Sequence, residues 1–251
     1  MKLEGNSREN PILSITFNLI IPVAVLKNGV KWIDRVFPES VEMSSLIHFI
    51  RDNSSSLIFL FALIFPVVYF FTDLAKRKNI NFISILGFIN VLLTGGIGIF
   101  GSSLGLSRKW FILKEGMLPL IIGGGFYLMR KIKPESFKSI LLNNAIFNSR
   151  LIHKNIQSSD LQEFNQCLNR AGYHFILGFL VSSIIQFILS SIIVVSDPGD
   201  PLFNEQVSTM TWVSYLAVLV PTMVILGRGY LNLISDIERI TALSKDQFIR
   251  S

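Results

Sequence analysis

Charged residues are scarce in this sequence, and cysteine is almost absent. Only 16% of the 251 residues are Asp, Glu, Lys or Arg, whereas 50% are hydrophobic. A soluble domain of this length does not usually cover its surface with so few charges. The single cysteine, Cys167, excludes a disulfide within the chain and a cysteine-based metal cluster. The composition therefore predicts a membrane protein rather than a soluble or disulfide-stabilised domain.

The apolar residues fall in blocks that are long enough to cross a bilayer. A helix needs roughly 20 mainly apolar residues to span the hydrocarbon. We predict an all-α fold, a single transmembrane helical domain over residues 1–251. The six predicted helices lie near residues 11–26, 55–71, 80–100, 110–129, 174–195 and 210–226.

The net charge of +6 could indicate a nucleic-acid partner, but its distribution excludes one. Basic residues cluster beside apolar blocks, at residues 76–78 and 130–133, whereas the loop at 196–206 carries acids and no base. Basic loops usually stay in the cytoplasm. We therefore predict that both termini are cytoplasmic. Arg108 and Lys109, in a loop predicted to lie outside, depart from this pattern.

Two connections are long enough to hold structure of their own. Residues 28–54 mix aromatic and charged side chains and are typical of an interfacial segment. Residues 134–172 are predicted to form a cytoplasmic segment that is helical in pieces. Ser159 and Gln162 resemble a capping box, so that a helix could begin near Asp160 and merge into the fifth span. The alternative is a solvated linker helix.

Glycines are concentrated in the third predicted helix, at Gly95, Gly98, Gly101 and Gly105. Small residues on one face let two helices approach closely, which drives helix packing in lipid. A phosphate-binding loop would need a preceding strand and a following Lys-Ser/Thr pair. Neither is present, so these glycines predict a packing surface.

Polar residues inside the apolar blocks are the best candidates for a functional site. Asn18, Asn90 and Gln186 lie in the first, third and fifth predicted helices, while Lys114 and Glu115 lie early in the fourth. Such residues are costly in lipid and usually face the bundle interior. They could form ordinary hydrogen bonds between helices, or they could line a pocket for a small ligand.

The sequence contains few residue patterns that are typical of catalytic sites. The three histidines stand apart from any metal-binding or paired-carboxylate spacing. His174, beside the fourth predicted loop, is the one candidate for an intramembrane lipid-modifying enzyme. We expect a protein that is not an enzyme and that uses no cofactor and no metal.

The stretch Ser107–Pro119, SRKWFILKEGMLP, resembles an element of the septation protein A family, in which a short outer loop leads into an aromatic-Ile-x-x-Lys segment. Residues 18–22, the Phe65-Pro66 pair and the Arg-containing stretch at 164–180 are similar as well. The first loop is longer here, and the Lys114-Glu115-Gly116 part conforms weakly, which indicates a divergent branch. The resemblance implies a bacterial inner-membrane protein of septation or envelope organisation, without defined catalytic residues.

Two functions follow as expectations. The first is a non-enzymatic, multi-pass protein of the inner membrane that maintains the cell envelope or supports septation. It would contact membrane lipids, envelope or division proteins, or a second copy of this chain. The alternative is a small-molecule or ion transporter. Its path inside the bundle would be lined by Asn18, Asn90, Lys114, Glu115 and Gln186.

Overall fold

The computed structural model describes residues 11–37, 45–77, 82–143 and 146–250, and these residues are almost entirely helical. In the described part of the chain the only β-pairing is an isolated bridge between Phe147 and Ile249. The predicted all-α class is confirmed. The helices are α1 (Pro11–Ile15), a π-helical turn (Thr16–Ile20), α2 (Ile21–Val36), α3 (Ser45–Asp52), α4 (Ser54–Arg77), α5 (Phe82–Phe100), α6 (Arg108–Ile132), α7 (Pro134–Leu141), α8 (Ser149–Asn155), α9 (Leu161–Ile193), α10 (Pro201–Thr241) and α11 (Lys245–Phe248).

Within the described residues, five stretches of helix are long and apolar enough to cross a membrane: Ile12–Val36, Ser54–Ala75, Arg108–Ile132, Leu161–Ile193 and Pro201–Thr241. Phe88–Phe100, within α5, is a shorter apolar helix. Large apolar side chains such as Phe61 on α4 and Leu216 on α10 are exposed. In water such surfaces would aggregate, whereas in lipid they face a matching solvent. The chain is an integral, multi-pass membrane protein.

Six spans were predicted, and five of them coincide with these long apolar helices, whereas the third coincides with α5, which is not among the candidate spans of the described residues. Several of the predicted helices are too short. The first continues to Val36, the fifth begins at Leu161, and the sixth runs from Pro201 to Thr241. The prediction that a helix near Asp160 merges into the fifth span is confirmed. The predicted start of the third helix, at Ile80, lies outside the described residues.

The described parts of the chain form two compact units, each assembled from two stretches of sequence. Unit 1 comprises residues 1–115 and 187–215, and unit 2 comprises residues 116–186 and 216–251.

In unit 1, α4 packs against α2 and α5. Three phenylalanines are its largest buried side chains: Phe59 and Phe111 each pack against Phe203, with ring centroids 6.1 and 5.6 Å apart. Buried polar groups in the same unit are paired. Asn204 donates to the Ser55 carbonyl at 3.0 Å, and its amide oxygen accepts from the Ser55 hydroxyl at 3.1 Å. This pairing removes the cost of burying an amide.

The loop between α5 and α6 accounts for the basic residues that departed from the charge pattern. The backbone N–H of Arg108 donates to Asp197 at 2.8 Å, and its guanidinium donates to the Val195 carbonyl. The acidic 196–200 loop therefore lies beside this basic loop within unit 1. Arg108 is thus paired with this loop, and the predicted cytoplasmic position of both termini stays a prediction.

In unit 2, the segment predicted to be helical in pieces forms α7, α8 and the first turns of α9. Their buried side chains, among them Phe137 and Ile152, pack with Leu233 and Ile237 of α10. Phe248 of α11 joins this core and is fully buried. These last turns of α10 are amphipathic rather than apolar, which explains why the sixth helix extends beyond its predicted hydrophobic end.

Candidate functional site

The Lys114 side chain is buried in unit 1, with 6% of its surface exposed. Its ammonium group donates to the Asn90 Oδ1 atom at 3.0 Å, the Thr94 hydroxyl at 2.7 Å and the Glu115 carboxylate at 2.5 Å. An ammonium has three N–H donors, so each of them has a partner here. The Nζ atom also lies 5.0 Å from the centre of the Phe111 ring. Lys114 is therefore held by its neighbours inside unit 1.

Helical spacing brings the acceptors together. Asn90 and Thr94 are four residues apart on α5, so their side chains share one face. The Thr94 hydroxyl donates to the Asn90 carbonyl at 2.9 Å, and this leaves its lone pair for Lys114. Because the Asn90 amide oxygen accepts from Lys114, its two amide N–H donors point away from the ammonium.

A cavity of about 130 Å³ adjoins this cluster and lies entirely within unit 1. Its polar lining consists of Asn18, Asn90, Thr94 and Thr211, and the rest of the wall is aliphatic, aromatic or proline. Asn90 is the ninth of the 19 residues of α5, so the cavity lies beside the middle of that helix.

A π-helical turn and two prolines border the cavity. Asn18 belongs to the π-helical turn, Pro22 is the second residue of α2, and Pro66 lies inside the continuous helix α4. Both prolines line the cavity. Pro66 has no N–H to donate to the carbonyl of Ala62, another lining residue. π-Helical turns occur often at functional sites, and a proline inside a helix leaves a carbonyl without its usual partner.

The structure brings together three of the five predicted polar residues, Asn90, Lys114 and Glu115. Asn18 lines the cavity that Asn90 also lines, while its amide nitrogen donates to the Ser14 hydroxyl at 3.3 Å. Gln186 belongs to unit 2. The sequence interpretation missed Thr94, although its position four residues after Asn90 could have indicated it.

The predicted glycine stripe is shorter than expected. A Cβ atom at Gly95 would lie 1.9 Å from Leu63, and one at Gly98 would lie 2.5 Å from the Phe59 ring. Gly101 and Gly105 come after the end of α5 at Phe100. Gly105 adopts φ +65°, a conformation that favours glycine in a turn. The helical spacing used to assign these two residues to the stripe therefore does not apply.

We expect Gly98→Ala to lower the free energy of unfolding by about 1–3 kcal/mol, because the added methyl group overpacks the buried Phe59 ring. Gly96→Ala is the matched control, since no atom lies within 4 Å of a Cβ at that position. Thermal unfolding of both variants in detergent measures the difference. Equal melting temperatures would contradict close packing at Gly98.

Other sequence candidates lie apart from this cluster. In the part of the chain that the structure describes, no group of three His, Cys, Asp or Glu side chains could hold a metal ion. Cys167 is a buried free thiol in the core of unit 2. His174 has its Nδ1 atom 2.9 Å from the Arg170 carbonyl one turn earlier, which is an ordinary helix-surface contact.

The chain matches no known protein-family model, no curated protein and no solved structure at a significant level. The resemblance to the septation protein A family therefore stays a prediction.

Proposed function

We propose that this integral membrane protein is a transporter or channel for small, uncharged polar solutes, with the cavity of unit 1 as its binding site. The observation that carries this proposal is the partly polar cavity beside a buried Lys114–Glu115 pair. Ionisable residues inside a membrane span are costly and rare, and they mark substrate or ion paths.

The charges at the site favour a neutral solute. The Lys114 ammonium and the Glu115 carboxylate neutralise each other, and the remaining ammonium donors are used by Asn90 and Thr94. The cavity wall therefore offers amide and hydroxyl groups rather than a free charge. Its volume of about 130 Å³ is below the range of about 300–1,000 Å³ typical of drug-sized ligands. A solute of the size of urea or glycerol is the class that fits these properties.

Protein interiors are normally densely packed. Filling this part of unit 1 with apolar side chains would cost less free energy than leaving a cavity beside buried amides. That contrast supports a binding role over a role in helix packing alone. Envelope maintenance or septation rests on the resemblance of residues 107–119 to a family element, and no contact in unit 1 adds to it.

Stopped-flow swelling of liposomes that contain the purified protein tests the proposal. We expect urea or glycerol permeability above that of protein-free liposomes. Asn90→Leu should lower it about tenfold, since an amide lost from a polar site costs about one hydrogen bond and its partner's desolvation. Thr211→Val should also lower it, with less risk to folding, because the Thr211 hydroxyl donates to the Val207 carbonyl of its own helix.

Asn28→Leu is the matched control, because Asn28 is a partly buried asparagine of unit 1 whose amide bonds its own helix at the Ala24 carbonyl. Permeability should be unchanged in this variant. If reconstituted protein moves neither solute, or if Asn90→Leu and Thr211→Val both transport at the rate of Asn28→Leu, the cavity is not the path and the proposal fails.

A further inference from the structure

A second pocket, of about 420 Å³, lies within unit 2 between α7, α8 and the first turns of α9. This volume is within the range of small-molecule sites, which combine an apolar floor with a few polar groups. Leu142 and Phe164 are buried residues of its floor. Lys138, Ser139, His153 and Asn165 supply polar groups around it.

Three of these polar groups keep unused hydrogen-bonding capacity. In the described part of the chain, the Ser139 hydroxyl and the Asn165 amide have no side-chain partner. The His153 Nδ1 atom lies 2.7 Å from the Ser149 carbonyl. That contact requires a proton on Nδ1 and leaves Nε2 available to a ligand.

Lys138 is the cation of the pocket, and its present partner is weakly held. Its ammonium pairs with Glu135 at 2.7 Å, but the Glu135 side chain is 84% exposed. Exposed pairs of this kind contribute little, so an incoming acid can replace the glutamate. Around the pocket, α7 and α8 carry Lys138, Arg150 and Lys154 against Glu135. The two acids at the start of α9 have other partners: Glu163 pairs with Arg239 at 2.6 Å, and Asp160 accepts from the Ser159 hydroxyl.

The position of the pocket favours a water-soluble ligand. Asn165 precedes His174, where the predicted apolar part of the fifth span begins, by nine residues. Along an α-helix this is about 13 Å. The pocket therefore opens beside the polar part of α9 rather than beside its apolar part.

We propose that unit 2 binds a small soluble acid, a carboxylate or phosphate on an apolar body, in this pocket. The acid group pairs with Lys138 and accepts from Ser139 or Asn165, and the apolar body lies on Leu142 and Phe164. This site is distinct from the cavity of unit 1, and the inference does not depend on a transport function.

Fluorine NMR of the full chain in nanodiscs tests this inference with 3-(4-fluorophenyl)propionate as the probe. We expect saturable line broadening that is absent with empty nanodiscs. The matched alcohol, 3-(4-fluorophenyl)propan-1-ol, should bind about tenfold more weakly, because it lacks the charge-assisted contact. Lys138→Met and Asn165→Leu should each weaken binding of the acid by a similar factor, whereas Lys154→Met, an exposed cation outside the lining, should not.

Three results would overturn the assignment. The first is equal binding of the acid and the alcohol, and the second is a Lys138→Met variant that binds the acid as well as Lys154→Met does. The third is saturable binding of dihexanoyl phosphatidate without binding of the soluble acid, which would make the ligand a lipid headgroup.

Discussion

Lys114→Met is expected to lower the free energy of unfolding by about 3–5 kcal/mol, because it leaves the Glu115 carboxylate in a buried site without its cation. The Glu115 side chain is only 16% exposed and bonds the ammonium at 2.5 Å. Asn90 and Thr94 would lose their donor as well. Unfolding of the purified protein by titration with a denaturing detergent measures the loss.

Lys109→Met provides the matched control, since Lys109 is an exposed lysine five residues earlier on the same helix. It should change stability by less than about 0.5 kcal/mol. The double variant Lys114→Met/Glu115→Leu separates the causes, because removing both charges should recover most of the loss. A single variant that is as stable as Lys109→Met, or a double variant that recovers nothing, would show that the ion pair is not what holds this part of unit 1.

Phe248→Ala is expected to destabilise unit 2 by about 3–5 kcal/mol, the usual cost of emptying a buried aromatic site. The Phe248 side chain is fully buried, and its ring centre lies 6.4 Å from that of Phe147. The backbone around it is paired too: Asn148 donates to the Phe248 carbonyl at 2.7 Å, and Arg250 donates to the Ile146 carbonyl at 2.8 Å. The substitution should loosen α8 along with α11.

Amide hydrogen exchange over residues 146–155 measures this effect. Exchange should accelerate roughly a hundredfold or more, since each 1.4 kcal/mol is a factor of ten. Arg250→Ala is the control, because it removes an exposed side chain and keeps the backbone bond to Ile146. Equal exchange in the two variants would mean that the Phe248 ring does not support the core.

Most of the fold was accessible from the sequence, because lipid imposes a simple rule of about 20 apolar residues on each span. That rule could not predict where the helices end. Residues 227–241 of α10 mix charged and apolar side chains, and they stay helical because Leu233 and Ile237 enter the core of unit 2. Only tertiary packing reveals this burial, and a window of mean hydropathy ends the helix too early.

The site was accessible in part for a similar reason. Asn90, Lys114 and Glu115 stood out because polar and charged groups are costly in a span. Their partnership was not predictable, since Asn90 and Lys114 are 24 residues apart and lie on different helices. Thr94 did not stand out as a costly polar residue, because a threonine hydroxyl can bond a carbonyl of its own helix. Gln186 is an amide side chain inside a predicted span, as Asn90 is, and the sequence did not show that it belongs to unit 2.

The order of synthesis bears differently on the two units. Residues 187–215, which complete unit 1, leave the ribosome after residues 116–186, which already belong to unit 2. The helices of unit 1 that are inserted first therefore remain in the bilayer without residues 187–215 while most of unit 2 is synthesised. Until unit 1 is complete, these helices expose incompletely packed surfaces, and they are therefore prone to misassembly and proteolysis. Dividing the gene at any one point leaves at least one unit incomplete in each fragment, so co-expressed halves should recover the fold only by reassociating.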